Sequence, residues 1–301
     1  MRYFENLDES FGFFKAMASH SRIQILKILL HEREMNLGEL AERLDITSGA
    51  LTSHIRVLEE NGIIETKSSA GKHGIQKVCS IVPEKYLFFL GASDYARSAY
   101  HVELSPGHYV DYQATPTCGL ATSQKIIGVY DDPVYFADVE HFNAEILWFT
   151  TGYVEYILPN YIPENGQCKE ISIQAELGSE AVGFNNDYRS DIYFFINGQQ
   201  VAIWQSPGDL GDVKGIYNPE WWAPSMNQYG TMLEMIINSE GTFIAGQQVS
   251  AVTVDSLDIK PKDRIRLRME VPENSPYPNG LTIFGRGFGN FNGGINVSFR
   301  Y

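Results

Sequence analysis

Cysteine is scarce in this chain: Cys79, Cys118 and Cys168 are the only three in 301 residues, far apart and without a C-x-x-C pair. That spacing excludes a disulfide-stapled scaffold and gives thiolate metal sensing no ligand pattern, while unpaired thiols agree with a reducing interior. No run approaches the ~20 apolar residues of a membrane helix. Acidic residues follow Met1 closely, at Glu5 and Asp8, which does not fit a signal peptide, so a cytoplasmic protein with no membrane partner is expected. Basic charge is also short, with 23 Lys and Arg against 37 Asp and Glu and a formal net charge of -14. Residues 1–82 hold 10 basic and 11 acidic side chains, so -13 of that total falls on the remainder, which should repel nucleic acid. The seven histidines are scattered, and neither a metal nor a cofactor is expected.

What is present changes character along the chain. The length fits two domains, here a head over residues 1–82, a connecting segment over 83–99 and a strand-rich body over 100–301. In the head, Leu37, Leu40, Ala41 and Leu44 recur at helical spacing behind Asn36, a good N-cap. The pattern stops at Asp45-Ile46-Thr47. A second helix, capped by Thr47 or Ser48, places Ala50, Leu51, Ile55 and Leu58 on one face and Gly49, Thr52, Ser53 and Arg56 on the other. The second face is small and polar with one guanidinium, able to lie close to base edges and offer Arg56 to a guanine or a phosphate. Two β-like runs, 63–67 and 76–81, flank a glycine turn carrying Lys72 and His73, with Lys77 behind it, as in a wing that touches phosphates. Together these pieces predict a winged helix-turn-helix.

The segments Ser19–Leu26, Leu37–Ala41 and Ser48–Ile64, in this order and spacing, resemble the ArsR family of bacterial repressors over roughly residues 5–82. The resemblance implies double-stranded operator DNA as a partner and a homodimer with the first helix in the dimer contact. Its DNA-contacting residues would be Thr47, Ser48, Gly49, Thr52, Ser53, Arg56, Lys72, His73 and Lys77. Where many members carry metal-sensing cysteines, on the helix matching Leu37 to Leu44, this sequence has none. The first helix, Leu7 to Ala18, bears Leu7, Phe11, Phe14 and Ala18 on one stripe and Phe13 and Met17 on another, which implies inward packing plus a partner. His54, near the buried edge of its helix, reads as a core histidine.

From about Pro83, Tyr and Phe become frequent, and short β-rich runs alternate with Gly, Pro, Asn and Asp clusters. The fold class is α+β multidomain: the winged head followed by a large all-β jelly-roll-like sandwich. Strands are expected at 100–104, 109–112, 125–129, 146–149, 154–158, 169–177, 191–196, 199–204, 231–237, 249–259, 264–271, 281–284 and 295–301. Asn197-Gly198 is the strongest hairpin signal. Residues 83–99 read as either a strand or a short helix.

Trp221, Trp222 and Tyr229 lie close in sequence among Gly, Pro, Asn and Asp, the pairing of indole faces and polar side chains that holds sugars. One of the adjacent tryptophans can face inward and the other outward, while Trp148 and Trp204, within strand runs, read as core. A polar loop with Asn186, Asp187 and Arg189, and a glycine-rich loop with Arg286, are further ligand-binding candidates. The first lacks the spacing of an EF-hand, and a structural turn is the alternative. The second reads as a mobile loop that lets backbone approach a ligand, since no helix follows to make it a phosphate cradle. The winged head with a strand-rich body also resembles the longer ArsR-type regulators of Gram-positive bacteria, whose effector domain is carbohydrate-binding-like. The implied function is a ligand-responsive regulator, a repressor relieved by a small molecule such as a sugar, with no catalytic residues. Two other classes stay open: a glycoside-processing body using two of Glu145, Glu155, Glu176, Asp187, Asp191, Glu234 and Asp258, and a protein-interaction module.

Overall fold

The computed structural model describes residues 2–4, 7–71, 74–82, 86–88 and 98–301. The chain divides into two compact units, Met1–Arg97 and Ser98–Tyr301.

The first unit carries helices α1 (Leu7–Met17), α2 (His20–Glu32), α3 (Leu37–Leu44) and α4 (Ser48–Glu60), and strands β1 (Arg2–Phe4), β2 (Glu34–Asn36), β3 (Ile64–Gly71), β4 (Gly74–Ile81) and β5 (Tyr86–Phe88). Helix α3 starts where expected because the Asn36 side chain accepts the Glu39 amide at 2.9 Å. It ends at Asp45, whose left-handed φ of 52° reverses the chain into the next cap. Leu29, Leu40, Leu51, Ile55 and Leu58 close a core beneath β3 and β4, with Cys79 among them. Strands β2, β4 and β3 form one antiparallel sheet, and β3–β4 is the wing hairpin. Its tip residues Lys72 and His73 lie outside the described residues. On α1 the two apolar stripes separate: Phe13 and Met17 pack against the core beside the buried Ser10 and Ala16, while Leu7, Phe11, Phe14 and Ala18 are exposed.

The second unit is an antiparallel β-sandwich. Its strands are β6 (Ala99–Leu104), β7 (Asp111–Ala114), β8 (Cys118–Ala121), β9 (Ile146–Phe149), β10 (Gly152–Leu158), β11 (Glu170–Gly178) and β12 (Ser190–Ile196). Then come β13 (Gln199–Ser206), β14 (Thr231–Ile237), β15 (Thr242–Ile244), β16 (Gln247–Ser250), β17 (Ile265–Val271), β18 (Leu281–Phe284) and β19 (Ile295–Arg300). One sheet has the order β13-β12-β17-β10-β7. In the other, β16-β15-β14 leads to β11, whose far edge pairs with β19 along its first half and β18 along its second; β18 continues to β9 and β8, and β19 to β6.

Strict alternation explains the layering: Ile265, Leu267, Met269 and Val271 on β17, and Ile295, Val297 and Phe299 on β19, all point into the shared core. Each such side chain contributes about 1.5–3 kcal/mol of hydrophobic burial. The Asn197-Gly198 turn closes the β12–β13 hairpin with φ of 50° and 81°, as that dipeptide predicts. Two expected strands are not formed as read. Residues 125–129 lie in a loop with a single bridge at Ile126, and 249–259 contributes only the end of β16 before a 3-10 turn at Asp255–Leu257.

The pairings Ala121↔Ile146, Phe284↔Ile146, Glu176↔Phe284 and Leu177↔Thr231 bring the loops 122–145, 179–189, 207–230 and 285–294 to one end of the sandwich. All the ligand-binding candidates lie there.

Candidate nucleic-acid interface and ligand-facing loops

Helix α4 begins at Thr47, whose hydroxyl accepts the Ala50 amide at 3.2 Å. Leu51, Ile55 and Leu58 are buried, and the opposite ridge of Gly49, Thr52, Ser53 and Arg56 is exposed together with Thr47 and Ser48. Ala50, expected on the buried face, is exposed, because the first turn of α4 projects past the core. His54 is half-buried. Thr52 and Ser53 donate only to carbonyls of their own helix, Ser48 at 2.8 Å and Gly49 at 3.2 Å. A Cβ at Gly49 would meet nothing within 4 Å, so the ridge opens onto free space there. Arg56 Nε lies 2.7 Å from Glu60 Oε1, an exposed pair that solvent and salt screen, so the guanidinium is parked rather than locked. Lys77 is exposed on β4, and Lys67 on β3 pairs with Glu65 at 2.6 Å.

The same unit displays Leu7, Phe11 and Phe14 on α1 and Leu30 on α2, respectively 54%, 66%, 43% and 71% exposed. Behind them Phe13 packs against Phe4, Tyr86 and Phe88, joining α1 to the paired strands β1 and β5.

In the sandwich the two adjacent tryptophans separate. Trp222 is 2% exposed, edge-on to Trp148 and Phe288 and bonded through Nε1 to the Asn227 carbonyl. It is core, which corrects its assignment as a ligand contact. Trp221 is 38% exposed, and its Nε1 donates to the Ser123 carbonyl at 2.7 Å, fixing an indole face at the surface. Tyr229 is half-buried, with its hydroxyl on Asp212 Oδ1 at 2.7 Å.

Two of the other candidates, Asn186 and Arg286, have their side chains occupied by the fold. Asn186 Oδ1 accepts the Gly211 amide, Asn185 Oδ1 the Asp187 amide, and the Arg189 carbonyl the Asn279 side chain; these bonds shape the 183–191 loop into turns on which Asp187 and Arg189 are exposed. Arg286 grips Glu103 through Nε at 2.8 Å and a second nitrogen, a two-pronged pair that holds Glu103 below the usual carboxylate range. That pair ties the glycine-rich loop to β6. Glu176, buried on β11, accepts the amides of Gly230, Asn290 and Phe291 at 2.8–3.0 Å, and a Cβ at Gly289, where φ is +72°, would come within 2.4 Å of that carboxyl group. The loop does cradle an anionic group, but the group is this chain's own side chain. Burial pushes the Glu176 carboxyl up to about 7 against those amides.

Sequence reasoning missed Glu176 as an anchor and missed a pocket of about 360 Å³ at the opposite end, lined by Lys169, Asn238, Ser239, Glu240, Asp255 and Arg300 among others. Its residues come from four separate segments with no local signature. Of the remaining carboxylates weighed for catalysis, five are committed elsewhere. Glu155 pairs with Arg266 and Arg268, Asp191 accepts from Gln205, Glu145 from the Ser123 amide, Glu234 from Gln174, and Asp258 pairs with Lys260. All three cysteines are buried, and burial raises their thiols to about 11 for Cys79 and Cys168 and about 12 for Cys118, away from the reactive thiolate. Among the described residues no group of three or more His, Cys, Asp or Glu is disposed to hold a metal, and no helix is long and apolar enough to cross a membrane.

Residues 17–67 match the helix-turn-helix domain family. The transcriptional activator HlyU of Vibrio cholerae is 41% identical over 56 residues, 19% of this chain and 51% of that protein. The chain thus spans about half the length of that curated relative. Reduced HlyU as a solved structure aligns at 32% identity and TM-score 0.22, covering 24% of this chain and 70% of the other. The uncharacterized protein MJ0432 of Methanocaldococcus jannaschii is 34% identical over 67 residues, 22% of this chain and 73% of that one. Against the second unit, CBM51 from Clostridium perfringens in complex with methyl-galactose aligns at 8% identity and TM-score 0.25, covering 66% of this chain and 99% of the other, too loose a match to bear on function. Through its N-terminal unit the chain belongs to the helix-turn-helix family, in the winged form that HlyU and ArsR-like regulators share.

Proposed function

We propose that this chain is a DNA-binding transcriptional regulator that acts as a homodimer, with the sandwich as its small-molecule sensor. The observation that carries the proposal is the ridge Gly49, Thr52, Ser53 and Arg56 on a capped helix whose other face is core, followed by a hairpin with exposed Lys77. A ridge of small polar groups lets the helix approach base edges, and a released Arg56 can make a two-pronged contact to a guanine. Thr47 and Ser48 sit at the helix N-terminus, where backbone amides favour a phosphate. The exposed Leu7, Phe11, Phe14 and Leu30 supply the self-complementary apolar surface of a two-fold dimer, which would set two α4 helices on half-sites about one helical turn apart.

In the sandwich, the fixed and half-exposed indole of Trp221 is the group suited to stack on a sugar ring. The polar pocket by Lys169, Asn238 and Asp255 offers hydrogen-bonding groups for a hydrophilic ligand and is the competing location. Ligand binding would control DNA binding by favouring one arrangement of the heads, with relief of repression as the expected sign.

Selection of duplexes from a random pool, followed by anisotropy titration of the full chain with and without a panel of sugars, tests both halves. A two-fold symmetric consensus whose affinity changes with one sugar supports the reading. Equal affinity for every duplex refutes the regulator, and indifference to every sugar refutes the carbohydrate sensor. Trp221→Ala and Asp255→Ala then separate the two ligand locations by which one abolishes the response.

A further inference from the structure

At the loop end of the sandwich, two buried carboxylates face each other's field without a cation. Glu180, just after β11, is 7% exposed, and Asp209, just after β13, is 1% exposed. Neither takes part in an ion pair among the described residues. Their partners are neutral: Thr117 Oγ1 donates to Glu180 Oε1 at 3.0 Å, Asn227 Nδ2 reaches Glu180 Oε2 at 3.3 Å, and the Ala181 amide reaches Asp209 Oδ2 at 3.1 Å. Thr282 Oγ1, 3.4 Å from Glu180 Oε2, has its better acceptor in the Ser179 carbonyl at 3.0 Å. Weak neutral donors do not offset the cost of removing two carboxylates from water.

A second and independent observation points the same way. Asp209 Oδ1 and Asn227 Oδ1 are both buried and without any hydrogen-bond partner. Asn227, 3% exposed, spends its amide nitrogen on Glu180 and on Thr282 at 2.9 Å, which fixes the side-chain orientation and leaves its carbonyl oxygen unused. Asp209 is held against the 179–181 segment by its own bond to Ala181 and by the Ser179 amide on the Gly208 carbonyl at 3.1 Å. Orphaned buried acceptors of this kind call for a proton, a water or a cation.

We propose that Glu180, Asp209 and Asn227 form a binding site for a hard cation, calcium, that ties the 179–181, 207–211 and 227–230 segments together. The three side chains offer oxygens, two sets on carboxylates and one on an amide, which suits calcium and excludes the metals that need nitrogen or sulfur; waters would complete the six to eight ligands calcium takes. Magnesium, which demands near-ideal octahedral geometry, fits an irregular set of side chains less well. Two carboxylates and one ion leave a nearly neutral unit, consistent with deep burial. The site is distinct from the 183–191 loop, whose Asn185 and Asn186 oxygens are already spent on amides. Asp209 and Asn227 lie in the same long connection as Trp221, so the ion would stiffen the loops that carry that indole.

The test uses the full chain, stripped with EDTA and dialysed, titrated with calcium chloride in a calorimeter and melted with and without it. The expected result is one calcium per chain, a rise of several degrees in the unfolding midpoint of the strand-rich unit, and weaker binding of magnesium chloride. Asp209→Asn and Glu180→Gln should each weaken calcium by roughly tenfold or more through lost ligand charge, while Asp187→Asn in the neighbouring loop leaves it unchanged. Asn227→Ser, which alters no charge, guards against loss of folding in the acidic variants and should also weaken calcium. No heat and an unmoved midpoint in the wild type overturn the proposal. So does calcium binding that survives all three site variants, or that disappears in Asp187→Asn instead.

Discussion

On the exposed ridge of α4 the polar side chains are bonded only to their own helix: Thr52 to Ser48, Ser53 to Gly49, Arg56 to Glu60, each four residues away. At the loop end of the sandwich the same residue types are bonded across the chain. Glu176 reaches Asn290, Asn218 donates its side chain to Gln228 and accepts the Gly289 amide, Trp221 reaches Ser123, and Arg286 reaches Glu103. A surface that must meet a partner keeps its polar groups uncommitted at long range. Loops that hold a shape without regular structure spend theirs on one another, so residue type alone says little about which of them face a ligand.

The largest effect that would break this contrast lies within the tryptophan pair. Trp222→Ala should cost ~3–5 kcal/mol in chemical denaturation, because it empties a buried aromatic cluster, whereas Trp221→Ala should cost less than about 1 kcal/mol. Similar losses for both would mean that neither side chain is a free platform. Next, Glu176→Ala should destabilise the sandwich by roughly 2–4 kcal/mol by leaving three amides unpaired, without changing DNA affinity measured on the folded protein.

Glu176 also gives the sandwich a pH dependence. Burial holds its folded value at about 7, above the 4.5 of the free side chain, so the folded state binds the proton more tightly. The associated stability is complete below about pH 4.5 and is lost as pH rises through about 7, a change on the order of 3 kcal/mol. Thermal melts from pH 5 to 8 should show the midpoint falling, with a shallower fall in Glu176→Gln. An equal slope in that variant would place the titration elsewhere.

Effects on the head are smaller in stability and larger in binding. Arg56→Ala should weaken specific duplex by roughly ten- to a hundredfold with little change in melting, and Glu60→Gln, which frees Arg56, should tighten binding by roughly a few fold. Lys77→Ala should lower affinity for specific and scrambled duplexes alike and reduce the salt dependence by about one counterion.

These differences also mark what the sequence made legible. The head was readable because its signals are local: Asn36 and Thr47 cap helices three residues ahead, and the Leu51, Ile55, Leu58 stripe fixes which face of α4 is core. Long alternating strands such as β14 and β17, and the Asn197-Gly198 hairpin, were readable for the same reason. Strand β8 was not, since Cys118 to Ala121 is buried throughout and shows no alternation. Residues 125–129 carry a strand-like composition but join short 3-10 turns at 133–137 and 139–143 instead of a sheet. The role of Glu176 was invisible because its amide partners lie 54 to 115 residues later. Trp221 and Trp222, identical in local context, differ only in which packs against Trp148.

The most direct measurement is a footprinting titration of the full chain and its Arg56→Ala variant on DNA flanking the chain's own reading frame. Two protected half-sites related by two-fold symmetry, lost in the variant at concentrations that saturate the wild type, are the expected result. Protection without symmetry, or an unchanged footprint in the Arg56→Ala protein, would contradict a dimeric regulator that reads DNA through α4.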